Sequence, residues 1–286
     1  MSEYGLKTKH IFFLSLALFI LLVFVLPTNL LAYDFSNTIL TVVTFLFGIL
    51  AGFYIVVTHA DYVEFKNQIA TEIGAWHALY HSVGSYDKST QAVFSESLDQ
   101  YIIRSFDHEI IDYAKITEKE FEAIEKIIND LPRKSELSSI YEVGILNNLN
   151  LVRETRHKLF TLGTKTLSFF QWLILFILAG ILIFTLMGLR TGGLFFNIIT
   201  ASISSGVVLI LLLIRELDLY IWNEKTFGYE AFESLFKTIG KLPYYPDLSI
   251  KAGRYNPPES KYRIGILTKQ PDGSFRRNKI EIVDNK

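Results

Sequence analysis

The sequence predicts an all-α integral membrane protein with four transmembrane helices, a helical cytoplasmic domain and a small C-terminal β-hairpin. Three observations predict it. Half of the 286 residues are hydrophobic and the mean hydropathy is positive, which is apolar for a soluble chain. The apolar excess falls in four blocks, each of about the 20 residues needed to cross hydrocarbon roughly 30 Å thick. Between the second and third blocks lies a long charged segment whose apolar residues recur at helical spacing.

The first block, residues 11–33, follows Lys7, Lys9 and His10. Its apolar run is longer than the core of a signal peptide and no small-residue cleavage site follows clearly, so it reads as a retained span ending near Pro27. The second block covers residues 37–60 and its helical period continues inward past the lipid. The third covers 168–189 and the fourth 194–214, joined by the tight turn Arg190-Thr191-Gly192-Gly193. Lys and Arg gather at the N-terminal tip, before block three (Arg153, Arg156, Lys158, Lys165) and after block four (Arg215, Lys225), while the opposite links carry only Arg190. By the positive-inside rule both termini and the middle segment are cytoplasmic, in a multi-pass protein of the cell (inner) membrane.

The expected domains are 1–60, transmembrane helices one and two; 61–166, a cytoplasmic helical insert; 167–215, transmembrane helices three and four; 216–241, an amphipathic cytoplasmic helix; and 242–286, a β-hairpin tail. The insert carries 12 Lys and Arg against 17 Asp and Glu. Leu98, Tyr101, Ile102, Phe106, Ile110 and Tyr113 mark one apolar helix face, and Phe121, Ile124, Ile127, Ile128 and Leu131 mark the next. Thr117 and Glu120 have capping-box spacing, Pro132 ends that helix, and a third helix begins near Ser138. After block four, Trp222, Phe227, Phe232, Leu235 and Phe236 form the apolar side of an amphipathic helix or helix pair. In the tail, Pro243, Pro246, Pro257 and Pro258 break helix, and KYRIGILTK and FRRNKIEIV flank a turn at Pro271-Asp272-Gly273.

The absence of cysteine excludes disulfides, thiolate nucleophiles and cysteine metal sites, and a net charge of −1 gives no sign of nucleic acid. His77 and His81, four apart with Glu72 nearby, offer two imidazoles to a metal, but a third ligand is not evident. Asp107, His108, Glu109 and Asp112 read as a solvated acidic helix face. No phosphate loop, nucleophile elbow or carboxylate pair stands out, so nothing argues for an enzyme, a metal or a cofactor. No carboxylate lies within the four blocks, which argues against a proton- or cation-coupled carrier.

The second block raises the sharpest question. In TFLFGILAGFYIVVTH, Phe45, Ile49 and Phe53 make a bulky stripe at four-residue spacing. Gly48 and Gly52, beside Ala51, make a small-residue face suited to close helix packing. The stripe can face lipid, or it can face the axis of a ring of helices as a pore wall; sequence spacing leaves both open.

Here a resemblance enters. Gly52-Phe53-Tyr54, the apolar run, Thr58 and Asp61-Tyr62 resemble the second span of bestrophins, the pentameric anion channels. The chain looks closer still to the prokaryotic and plant bestrophin-like family of unknown function, through Gly52-Phe53, Tyr62, Glu72, Leu79-Tyr80, Tyr101, Asp107-Glu109, Arg153, Arg156, Trp172 and Leu217-Asp218. The likeness covers about residues 37–220, and the order of these short motifs is its main strength. It implies a homo-oligomer in the lipid bilayer, a pentamer in the family's image, conducting small inorganic ions through a neck lined by Phe45, Ile49 and Phe53. There are departures: Ala60-Asp61-Tyr62 stands where bestrophins carry Arg-Trp-Trp, no proline lies between Thr44 and Phe53, and only scattered acids (Glu216, Asp218, Glu224) replace the calcium clasp. The competing reading is a membrane-anchored scaffold or sensor whose cytoplasmic helices bind partners.

Overall fold

The computed structural model describes residues 8–28, 30–31, 33–108, 112–131, 139–220, 228–251, 255–257, 260–270 and 275–284. The chain divides into two compact units, Met1–Tyr62 with Thr166–Leu219, and Val63–Lys165 with Tyr220–Lys286.

The first unit holds α1 (Thr8–Val25), the first part of α2 (Tyr33–Tyr86), α7 (Phe169–Gly188) and α8 (Leu194–Asp218). Three of these, α2, α7 and α8, are long and apolar enough to cross a membrane, and α1 contributes a shorter apolar stretch, His10–Val25. The core forms where Val43, Phe47, Ala51 and Tyr54 of α2 meet Leu175, Ala179 and Leu182 of α7 and Val207, Leu211 and Ile214 of α8. A second cluster joins Phe19 and Val23 of α1 to Met187 and Ala201. α7 starts with a capping box: the Ser168 hydroxyl accepts the Gln171 backbone N–H, and Gln171 Oε1 accepts the Ser168 N–H at 2.7 Å. Between α7 and α8, Gly192 and Gly193 take φ of +84° and +93°, which side chains resist, so the turn needs both glycines. Arg190 donates to the carbonyls of Leu26 and Pro27 beyond the end of α1, tying this turn to it.

The second unit takes the rest of α2 with α3 (Lys88–Phe106), α4 (Tyr113–Ile116), α5 (Glu118–Asn129), α6 (Ser139–Thr164), α9 (Glu230–Thr238), α10 (Asp247–Lys251) and a sheet. α2 is one helix of 54 residues, so the continuation past the second block read in the sequence is helical. Asp87 starts α3 by accepting the Thr90 N–H at 2.7 Å.

Several local expectations need correction. The helix expected through Tyr113 stops at Phe106, and Tyr113 opens the short α4. The capping box at Thr117 does not form, because the Thr117 hydroxyl donates to the Tyr113 carbonyl and accepts from Arg156. Ile110, Glu109 and Pro132 lie outside the described residues, as do Trp222, Glu224, Lys225 and Phe227, while α6 begins at Ser139, beside the helix start expected near Ser138. Of that amphipathic segment, α9 buries Phe232, Leu235 and Phe236.

The C-terminal element is a three-stranded sheet rather than a bare hairpin. β2 (Lys261–Lys269) and β3 (Phe275–Asp284) pair antiparallel, from Lys261 opposite Asp284 to Lys269 opposite Phe275, with a register shift at Ile266/Leu267. β1 (Tyr244–Pro246) pairs parallel to β2, with Tyr244 opposite Arg263. The prolines permit a short edge strand, and the short α10 follows Pro246 directly. Gly265 sits under the Tyr244 ring, where a Cβ would collide with the tyrosine hydroxyl. The expected turn at Pro271-Asp272-Gly273 lies outside the described residues.

Candidate functional site

On α2, intrachain packing takes one side only. Val43, Phe47, Ala51, Tyr54 and Thr58 are buried, the hydroxyl of Thr58 returning to the Tyr54 carbonyl at 2.7 Å. Phe45, Ile49 and Phe53 point away, with 65%, 53% and 60% of their surface exposed. Gly48 and Gly52 share this free side, and a Cβ built on either meets no atom within 4 Å. Helix packing inside the chain therefore falls on the Ala51 side and not on the glycines. Ala51 does not join Gly48 and Gly52 in one free face, because it is already covered.

Trp172 and Asp218 meet at the ends of α7 and α8. The Asp218 carboxylate accepts the Leu167 backbone N–H at 2.8 Å and the Trp172 indole N–H at 3.4 Å. This buried acid fixes where α7 begins relative to the last turn of α8.

The second unit is built on a buried polar network centred on Glu72. Its carboxylate has no exposed surface and accepts from Trp76 Nε1 at 3.0 Å, Tyr101 Oη at 2.5 Å and Tyr113 Oη. Burial and the facing Glu72 charge push the Tyr101 and Tyr113 phenols well above their ordinary range, so both remain donors. Arg156, only 4% exposed, supplies the opposite charge. It donates to Tyr101 Oη at 2.6 Å, Thr117 Oγ1 at 2.8 Å, the Ala114 carbonyl at 2.7 Å and Glu118 at 3.0 Å, and its guanidinium lies 4.5 Å from the Phe121 ring centre. Residues of α2, α3, α4, α5 and α6 thus close on a single charge pair relayed through a tyrosine. Glu72 is satisfied there and does not turn towards His77 or His81. The His77 ring bonds Ser234 and Thr238 of α9, both at 3.0 Å. Among the described residues no group of three or more His, Asp or Glu side chains is placed to hold a metal.

Two further acids seat the sheet on the helices. Asp99 holds Arg263 through two bonds of 2.6 and 2.7 Å. Asp107 accepts from Tyr244 and from Arg277 at 2.9 Å. Burial raises the Asp107 pKa although the Tyr244 hydroxyl and Arg277 favour its charge. Asp107 is therefore no part of a solvated acidic face: a strand lies over it. Arg156 is likewise a core residue, where the sequence suggested a topological charge. The signal for both lay in the family-like order of Glu72, Tyr101, Asp107 and Arg156, but their partners are non-local and no spacing reveals them.

Comparison with known proteins places the chain. The family model for the bestrophin-like domain matches residues 11–219, so the chain belongs to the bestrophin-like family. Among solved structures, a bacterial bestrophin homologue from Klebsiella pneumoniae phased with zinc has 15% identity and a TM-score of 0.61, over 81% of this chain and 99% of that one. A point mutant of the Klebsiella homologue has 15% identity and a TM-score of 0.63, over 80% and 99%. A structure described as a mutant membrane protein has 16% identity and a TM-score of 0.64, over 81% and 100%. These likenesses establish the fold. Comparison with curated protein sequences returns no match. Family and apolar helices together make this a membrane protein.

Proposed function

We propose that the protein is a homo-oligomeric ion channel, a pentamer in the image of its family, with α2 lining an apolar neck through Phe45, Ile49 and Phe53. The observation that carries the reading is the division of α2: its Val43–Phe47–Ala51–Tyr54 side is consumed inside the chain, while the bulky stripe and both glycines are left for contacts from outside. In a ring, the stripe turns to the axis and the glycines beside it admit the neighbouring α2 closely. α1 completes four crossings, its 18 residues spanning about 27 Å at the helical rise, with both termini cytoplasmic. Three apolar rings gate by wetting and dewetting, so no buried charge is needed. Anions are the proposed permeant species, on the bestrophin resemblance.

The test is purified protein reconstituted in planar bilayers under a KCl gradient, with its mass measured in mild detergent. An oligomer and a current reversing near the chloride potential are expected. Reversal near the potassium potential would keep the pore and reverse the selectivity, and a monomer would overturn the proposal.

A further inference from the structure

The second unit contains an open cavity of about 360 Å³ between α4, α5 and α6 that the network above borders but does not fill. That size lies within the range of small-molecule pockets, about 300–1,000 Å³. Lys115, Arg153 and His157 stand on its wall with Glu118, and Phe121 and Phe160 give it apolar sides.

The cations are not all spoken for. Arg153 is shared with Glu125, at 2.6 and 3.0 Å, and with Asn150. Arg156 also has Tyr101, Thr117 and Ala114 as partners, and its Glu118 partner is itself exposed, so that contact is the dispensable one. The Lys115 ammonium and the His157 ring have no hydrogen-bond or ion-pair partner among the described residues. Arg153 and His157 are one turn apart on α6, and Lys115 comes from α4, so three basic side chains from two helices converge on one recess. A lone exposed lysine or histidine is ordinary; convergence on an aromatic-walled cavity is not. Point charges with a guanidinium fork suit a phosphate, and the phenylalanine walls suit a flat apolar group.

We propose that this cavity binds a phosphate monoester carried on a planar or apolar group, with the phosphate on Lys115, Arg153 and His157 and the apolar part against Phe121 and Phe160. The ester is either a soluble metabolite or the headgroup of an anionic lipid. A phosphate seated here competes with Glu118 for Arg156, the first link of a chain that runs through Tyr101 to Glu72 on α2.

The test uses full-length protein in mild detergent, with phenyl phosphate as probe in titration calorimetry and phenol as control. Saturable binding of phenyl phosphate and none of phenol are expected. Lys115→Ala should weaken binding about tenfold or more, as expected for loss of a charge-assisted contact, with an unchanged melting temperature because the side chain is exposed. Short-chain phosphatidic acid as competitor separates the sources: displacement of phenyl phosphate assigns the lipid headgroup, and binding without displacement assigns the soluble ester. Failure of both probes to bind saturably, or equal binding by the Lys115→Ala, His157→Ala double variant, would overturn the proposal. The readout is binding, so an electrically silent protein leaves it standing.

Discussion

The two units of the chain handle polarity differently. In the first, the core is aliphatic and aromatic, with buried Arg190 and Asp218 only at helix ends, and large apolar side chains such as Phe45, Phe53, Phe176 and Phe195 are left on the outside. In the second, charge is carried into the interior and paired there: Glu72 with three donors, Asp99 with Arg263, Asp107 with Tyr244 and Arg277, Glu233 with Tyr245 and Tyr255. Apolar bulk facing lipid carries no hydrophobic cost, so packing there need not specify every face. Buried polar groups accept only one set of partners and so specify a unique arrangement. The comparison teaches that substitutions on the free face of α2 should change function with little effect on folding, whereas substitutions in the buried network should do the reverse.

Four predictions sharpen or break this contrast. The largest effect is expected for Glu72→Ala. It strands the buried donors of Trp76, Tyr101 and Tyr113 and leaves Arg156 with the exposed Glu118 as its acidic partner, a loss of about 3–5 kcal/mol. Denaturant unfolding in detergent should show it, and an unchanged midpoint would break the contrast. Asp99→Ala should cost somewhat less, about 2–4 kcal/mol, because Arg263 is partly exposed and regains some hydration. The same unfolding assay, with Arg263→Ala and the double variant, gives the coupling directly.

Phe53→Ala should shift stability by no more than about 0.5 kcal/mol, in keeping with its exposure, while raising conductance. A large stability loss would mean that the residue is packed for structural reasons. A further prediction concerns His108. Burial, aided by Arg104, holds its imidazole down to about 4, and its Nε2 is buried without a partner among the described residues. The unfolded ring, at its ordinary value of about 6.5, takes up a proton first. The stability tied to the neutral ring is therefore present above about pH 6.5 and is lost as pH falls towards 4. Stability measured against pH should be flatter in this interval for His108→Gln than for the native chain; parallel curves would show that His108 is not the group responsible.

Much of the fold was legible because it follows from local pattern. Hydropathy alone marks α2, α7 and α8, and alternation marks β2 and β3 over nearly their observed extents. β1 escaped because three residues ending in a proline carry no period, and its pairing with β2 is set at a distance. The Thr117 capping box misled because a threonine hydroxyl has more than one use, and a buried arginine 39 residues on outcompetes the local bond. Arg156 counted with Arg153 and Lys158 as a cytoplasmic charge, since sequence does not distinguish a solvated from a buried cation. For the proposed neck, spacing gave Phe45, Ile49 and Phe53 as one stripe but could not say which side of α2 the chain itself would cover. The burial of Phe47 and Ala51 supplies that piece.

The free stripe of α2 is proposed as a pore wall. The most direct measurement is single-channel conductance of the reconstituted native protein beside the Phe45→Ala, Ile49→Ala, Phe53→Ala triple variant, each first shown to have the same mass and unfolding midpoint. Widening three apolar rings predicts a higher conductance or a persistent leak in the variant. Identical currents from two equally folded proteins would contradict the claim and return the stripe to the lipid.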